Sequence, residues 1–147
     1  MLKGIPSIIT PEFLKILDEM GHGDVLVIGD ANFPATSIAK AGKEVNIRCD
    51  GYGASAILDA VLSLIPLDTF VEKPVTIMDK MNMHKDLDCP IWREFSSIVE
   101  KYDDRGKDAI QFIDRFSFYE ESKKAYAVVS TGEKALYACI MIQKGCL

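Results

Sequence analysis

Apolar and polar positions along the chain alternate between short, wholly apolar runs and longer amphipathic stretches. Val25-Leu26-Val27-Ile28-Gly29 is apolar throughout and rich in β-branched residues, which predicts a strand buried on both faces. Ahead of it, Phe13, Leu14, Leu17 and Met20 recur at helical spacing. Thr10-Pro11-Glu12 gives that helix a capping hydroxyl, a proline whose missing N–H costs nothing and a carboxylate facing the dipole, and Gly21 supplies the stop. Pro34 predicts a loop through residues 40–44, followed by a short strand at 45–48 that Gly51-Tyr52-Gly53 ends. Residues 54–65 read as a helix with Ala56, Ile57, Ala60, Val61 and Leu64 on one face, stopped by Pro66.

Val75–Met78 reads as a strand, 79–88 as a long surface loop, and Pro90 opens a helix running to about Tyr102. A strand at 109–113, a short helix at 118–124 and two strands at 126–130 and 136–143 complete the chain, the last two joined by Thr131-Gly132-Glu133-Lys134. No repeat or low-complexity segment interrupts this order. Alternating strands and helices predict one α/β domain over 1–147, a three-layer α/β/α arrangement on a largely parallel sheet. The two C-terminal strands should form an antiparallel pair at one side. Ligands of such sheets bind at loops beyond the strand ends, where His22, Asp30 and Arg115 are expected.

Composition narrows the function. With 147 residues, 48% of them apolar, the chain can bury a proper core. Its 17 basic and 22 acidic residues leave a net charge of −5 without a basic cluster, which argues against nucleic acid as a partner. No stretch approaches the ~20 apolar residues of a membrane span. The first residues lack the long apolar region of a signal peptide, so a cytoplasmic protein is expected. Cys49, Cys89, Cys139 and Cys146 show neither a C-x-x-C pair nor a His at ligand spacing, so reduced thiols are expected and no structural metal.

The candidate chemistry lies around the first strand. His22 stands between Gly21 and Gly23, which strip cover from its imidazole and let the chain turn sharply. Asp24 and Asp30 are the near carboxylates. A strand rises ~3.3 Å per residue, so His22 and Asp30 lie at opposite ends of one rod. A site group and a turn histidine hydrogen-bonded to its own loop are both open, and Asp30 reads equally as the N-cap of the segment after it. Gly51-Tyr52-Gly53 lacks the further residues of a phosphate loop and reads as a turn. His84 reads as solvent-exposed, Trp92 as core or interface, and Tyr102-Asp103-Asp104-Arg105 as a solvated helix end. No serine sits in a nucleophile elbow.

Taken in order, Glu19-Met20-Gly21-His22-Gly23-Asp24, Asp30-Ala31-Asn32-Phe33-Pro34, Arg48-Cys49-Asp50-Gly51, Asp114-Arg115-Phe116-Ser117-Phe118-Tyr119-Glu120 and Thr131-Gly132-Glu133 with Tyr137 resemble the ribose pyranase / L-fucose mutarotase family. Asn32-Phe33-Pro34 and Arg115 match its L-fucose branch; the ribose branch usually has Gly-Leu-Pro and a His there.

The resemblance implies an enzyme that interconverts sugar anomers without cofactor or metal. It also implies His22 as general acid/base, Asp30 and Arg115 as sugar-binding groups, and a ring-shaped homo-oligomer with sites near subunit contacts. The family's closing Tyr-Gly/Ala-Asn motif falls on Tyr137-Ala138-Cys139, where Cys139 departs from the pattern. A thiol cannot both donate and accept as an amide does, so the sugar contact at Cys139 is through backbone or one hydroxyl is held less well. Tyr119 is a further candidate for the pocket wall or a subunit contact. Phe33, Phe118 and Tyr119 are available to line an apolar patch for the methyl group of L-fucose. The alternatives are a mutarotase for another aldose such as D-ribose, or a sugar-binding accessory protein that turns nothing over.

Overall fold

The computed structural model describes residues 2–147. Strands β1 (Val25–Gly29), β2 (Asn46–Cys49), β3 (Val75–Met78), β4 (Ile110–Ile113), β5 (Ala127–Thr131) and β6 (Ile140–Gln143) form one sheet in the order β2-β5-β1-β6-β3-β4. β1 pairs in parallel with β5, β5 with β2, and β3 with β4; β6 runs antiparallel to both its neighbours, β1 and β3. Five strands therefore share a direction and end on the same rim of the sheet.

Side chains on a strand alternate between faces, and β1 shows the consequence. Leu26 and Ile28 pack into a core with α1 (Pro11–Glu19), α3 (Ala54–Leu62) and α4 (Pro90–Tyr102), which includes the fully buried Phe13 and Phe95. Burying each such side chain contributes about 2 kcal/mol. Val27 points the other way, into a second core with α2 (Ala35–Ala41) and α5 (Arg115–Ser122) around Phe118. Helices thus cover both faces, which is why β1 reads as an uninterrupted apolar run. The expected three layers are present.

The start of α1 is as read: Thr10 Oγ1 accepts from the Phe13 amide at 3.2 Å, with Pro11 in the first turn. Other boundaries differ. The loop expected after Pro34 contains α2, because Pro34 stands at the cap position where its fixed φ starts a helix. Helix α5 begins at Arg115, ahead of the expected 118, since the Asp114 carboxylate accepts from the Phe116 and Ser117 amides, both at 3.1 Å.

The C-terminal strands run in opposite directions but do not pair with each other. β1 lies between them, Leu26 opposite both Ala127 and Ile142. The connection from Thr131 to Ile140 passes over the end of β1, where the Ala31 amide donates to Glu133 O at 2.8 Å. The last strand consequently starts at Ile140 and not at 136.

Candidate functional site

Four segments leave the common rim of the sheet together: 30–33 after β1, 78–84 after β3, the start of α5 after β4, and 136–139 entering β6. They enclose a cavity of about 240 Å³ lined by Asp30, Arg115, Tyr119, Tyr137, Cys139 and, on its apolar side, Phe33 and Met78 among others. Every expected substrate-binding residue is therefore in one place. That place is the crevice at the carboxyl ends of the strands.

Asp30 is only 8% exposed. Burial pushes its carboxyl above the usual range, opposed by the Asn32 amide, which donates to Oδ1 at 2.9 Å, and by the Cys139 thiol. Burial, reinforced by the nearby carboxylate, pushes the Cys139 thiol well up, so it stays protonated as a weak donor to Asp30. Phe33 turns back over Gly29, where an added Cβ would lie 2.5 Å from the ring, so that position requires glycine.

Arg115 is the first residue of α5. Its guanidinium carbon lies over the Phe116 and Tyr119 rings, 5.0 and 5.5 Å from their centroids, and Nη1 meets Met81 Sδ at 3.4 Å. Its Nε is buried and finds no acceptor among the described residues. A rigid multi-donor fork with a buried donor left unpaired suits an oxygen-rich ligand.

Tyr137 adopts φ +59°, a left-handed conformation that non-glycine residues rarely hold and that clusters at functional sites. Trp92 Nε1 donates to its carbonyl at 3.0 Å, the Met81 amide donates to its phenol oxygen at 3.3 Å, and His84 Nδ1 lies 2.5 Å from the same oxygen. The segment expected to be a free surface loop is thus tied to the cavity through a short 3₁₀ turn, Asn82–His84. His84 lines the cavity and is not the solvent-facing residue its charged neighbours suggest. Phe118 is fully buried behind Phe33, at 5.9 Å between centroids, and does not line the cavity.

His22 is elsewhere. It precedes β1, and five strand residues at about 3.3 Å each hold it more than ~15 Å from the rim that carries the cavity. Gly23, at φ +85°, makes the turn behind it. Its Nε2 lies 3.1 Å from Asp68 Oδ1, and its ring packs on Phe70 at 4.9 Å. An ionised carboxylate only accepts, so Nε2 carries the proton and Nδ1 is left to accept one.

Asp68 is 1% exposed. Burial pushes its carboxyl up, but the Phe70 amide, His22 and Gln143 together outweigh this and hold it below the usual range. Arg105, paired with Asp103, donates to Asp68 O at 2.9 Å and Val71 O at 2.9 Å, so the supposed solvated helix end braces the loop that carries Asp68.

The sequence pattern of the RbsD / FucU transport protein family matches residues 3–147. The chain belongs to that family. It is 48% identical to the fucose mutarotase of Mus musculus over 99% of this chain and 95% of the mouse protein. The crystal structure of FucU from Bifidobacterium longum superimposes with a TM-score of 0.94 at 50% identity, covering 99% of each chain. The fucose mutarotase of Streptococcus pneumoniae in complex with L-fucose superimposes with a TM-score of 0.90 at 42% identity, again over 99% of each.

Within this RbsD / FucU chain, sequence reading missed Asp68 and His84. Asp68 follows Pro66, which reads only as the stop of a helix, and His84 lies within 79–88, which reads as a long surface loop. Neither segment carries a local signal, because each is drawn to its partner from 46 or 53 residues away along the chain. No helix among the described residues is long and apolar enough to cross a membrane.

Proposed function

We propose that this protein is an isomerase that exchanges the α and β anomers of free L-fucose without metal or cofactor. The observation that carries the reading is the cavity. A desolvated carboxylate, an Arg nitrogen in need of an acceptor and a phenol meet in a space below the roughly 300–1,000 Å³ of drug-sized pockets. Its apolar remainder, Phe33, Met78, Met81, Met83 and Leu136, suits the methyl group that L-fucose has where most hexoses carry a hydroxymethyl. The likeness to the mouse enzyme and to the fucose-bound pneumococcal enzyme supports the same substrate.

Ring opening needs the anomeric hydroxyl to lose a proton while the ring oxygen gains one. The reaction proceeds unaided in water, so an acid/base contribution of ~10²–10⁴ suffices for an enzyme. Asp30 accepts from sugar hydroxyls, Arg115 donates to sugar oxygens, and His22 is the acid/base group, held by Asp68 in one tautomer. His22 reaches a sugar in the cavity of a second copy. The surfaces support this: Phe70, 77% exposed, stands beside His22, and exposed Met83, Phe116 and Leu136 stand around the cavity. Docking the first surface on the second is a head-to-tail contact, the kind that closes into rings. A cytoplasmic setting suits the four free cysteines.

Saturation-transfer proton NMR on anomeric signals tests the reading. L-Fucose should exchange fastest at catalytic protein concentration. D-Galactose and D-glucose should be slower, because an apolar wall penalises the hydroxyl of their hydroxymethyl group by up to ~10²-fold, and D-ribose slower too, because it has no carbon there to fill that wall. D-Ribose exchanging faster than L-fucose, or no exchange above the spontaneous rate, would refute it. Cys139→Asn should lower the KM for L-fucose roughly 5-fold, about 1 kcal/mol for one neutral hydrogen bond regained, with kcat little changed. An unchanged KM would mean that no side chain at this position meets the sugar.

A further inference from the structure

The cavity holds its own proton-transfer pair, which the His22 assignment leaves without a task. We propose that His84 is the proton partner of Tyr137, and that the two together take the anomeric proton of the bound sugar; this rests on the reading of the cavity as a sugar site.

Hydrogen bonding at one oxygen carries the pairing. The Tyr137 phenol has one proton and two lone pairs. The Met81 amide donates to one lone pair at 3.3 Å. His84 Nδ1, at 2.5 Å, occupies a second direction. When His84 is neutral with its proton on Nε2, Nδ1 accepts the phenolic proton and one lone pair of this cavity-lining tyrosine stays open. A sugar hydroxyl can donate there. When Nδ1 carries a proton it donates to the phenol instead, and the phenolic proton becomes the one offered to the sugar. The state of His84 thus decides whether Tyr137 is an acceptor or a donor.

Two further features hold the pair in place. The Tyr137 backbone is left-handed with its carbonyl held by Trp92, and its phenol oxygen is held by the Met81 amide and His84. The 3₁₀ turn that carries His84 is anchored from outside by Lys80, whose Nζ donates to Lys85 O at 3.0 Å and Leu87 O at 2.8 Å. The imidazole also meets the Tyr137 ring edge-on, 5.7 Å between centroids, so its orientation is set by packing as well as by the hydrogen bond.

The step balances without an added reactant. The proton of the anomeric hydroxyl passes to the Tyr137 oxygen as the phenolic proton passes to His84 Nδ1. The bond from the anomeric carbon to the ring oxygen breaks, the anomeric C=O forms, and the ring oxygen takes its proton from protonated His22. Closure on the other face of the aldehyde runs the same transfers backwards. One imidazole then acts at each of the two oxygens. His84 touches Tyr137 and not the reacting atoms, so it is a positioning and proton-accepting residue behind the phenol.

The test is a cycle of His84→Gln, Tyr137→Phe and the double variant, with L-fucose exchange followed by NMR beside the wild type. A glutamine can accept the phenolic hydrogen bond but cannot take the proton. His84→Gln should lower kcat about 10-fold or more, with KM within about 2-fold and an unchanged thermal midpoint. The double variant should be no slower than Tyr137→Phe alone, since the two act as a unit. Wild-type kcat in His84→Gln, a loss in KM alone, or independent multiplying losses in the double variant would each overturn the pairing. Absence of exchange in the wild type would instead bring down the sugar reading on which the pairing rests.

Discussion

His22→Gln lowers L-fucose anomer exchange by at least ~10²-fold, the lower bound for loss of a general acid/base, while the thermal midpoint moves by no more than about 2 °C. The small effect on stability comes from position. The His22 side chain is 42% exposed and sits on a glycine-flanked turn, and a glutamine amide can still donate to Asp68. The sharper expectation concerns mixtures. His22→Gln and Arg115→Gln should each be inactive alone, yet co-expressed they should recover roughly a quarter of wild-type sites, if His22 of one copy serves the cavity of the next in a closed head-to-tail assembly. A monomeric, fully active protein by light scattering, or mixtures that recover nothing, would disprove the shared site. The reason is the length of β1: a rigid strand separates His22 from Asp30, and no side-chain rotation spans it.

Asp30→Asn is expected to separate function from stability in opposite directions. Loss of a charged acceptor for sugar hydroxyls should weaken L-fucose binding roughly 10–100-fold, the cost of a charge-assisted hydrogen bond. Stability at neutral pH should rise, because burial holds the Asp30 carboxyl above its ordinary 3.8 and an asparagine carries no such desolvation cost. The sign fixes the pH window. A raised carboxyl binds its proton more tightly in the folded state, so the wild type loses stability as pH climbs from 3.8 through the raised value. The midpoint difference, variant minus wild type, should therefore be smallest below pH 3.8 and grow above it. Thermal melts across that range decide. A variant less stable at pH 7 than the wild type would make Asp30 a structural cap of the 30–33 turn, through its bond to Asn32, before anything else.

The opposition between these two effects says how the site is built. The fold leaves the Asp30 carboxyl desolvated and the Arg115 Nε without an acceptor. Such groups cost stability and are retained where a ligand meets them. The same holds for the backbone of Tyr137.

Much of the molecule is legible in its local sequence. β1, the α1 cap at Thr10 and the span of α4 obey local rules, because capping, proline placement and unbroken apolar runs depend on neighbouring residues only. Asp30 and Arg115 stand directly after strands β1 and β4, so the rule that ligands collect at strand ends was enough to bring them together. The Tyr137-Ala138-Cys139 motif joined them through the family pattern. Pairing at long range has no such local signature. Inserting β1 between β5 and β6 depends on which edges of β1 remain open once the helices have packed, and no turn sequence encodes that. His84 came to the cavity only because Tyr137 reaches it across the sheet rim, and Asp68 to His22 only because the loop before β3 folds back on the start of β1. Periodicity and caps are interactions over a few residues, whereas these contacts join segments whose separation along the chain is closed by the packing of the whole sheet.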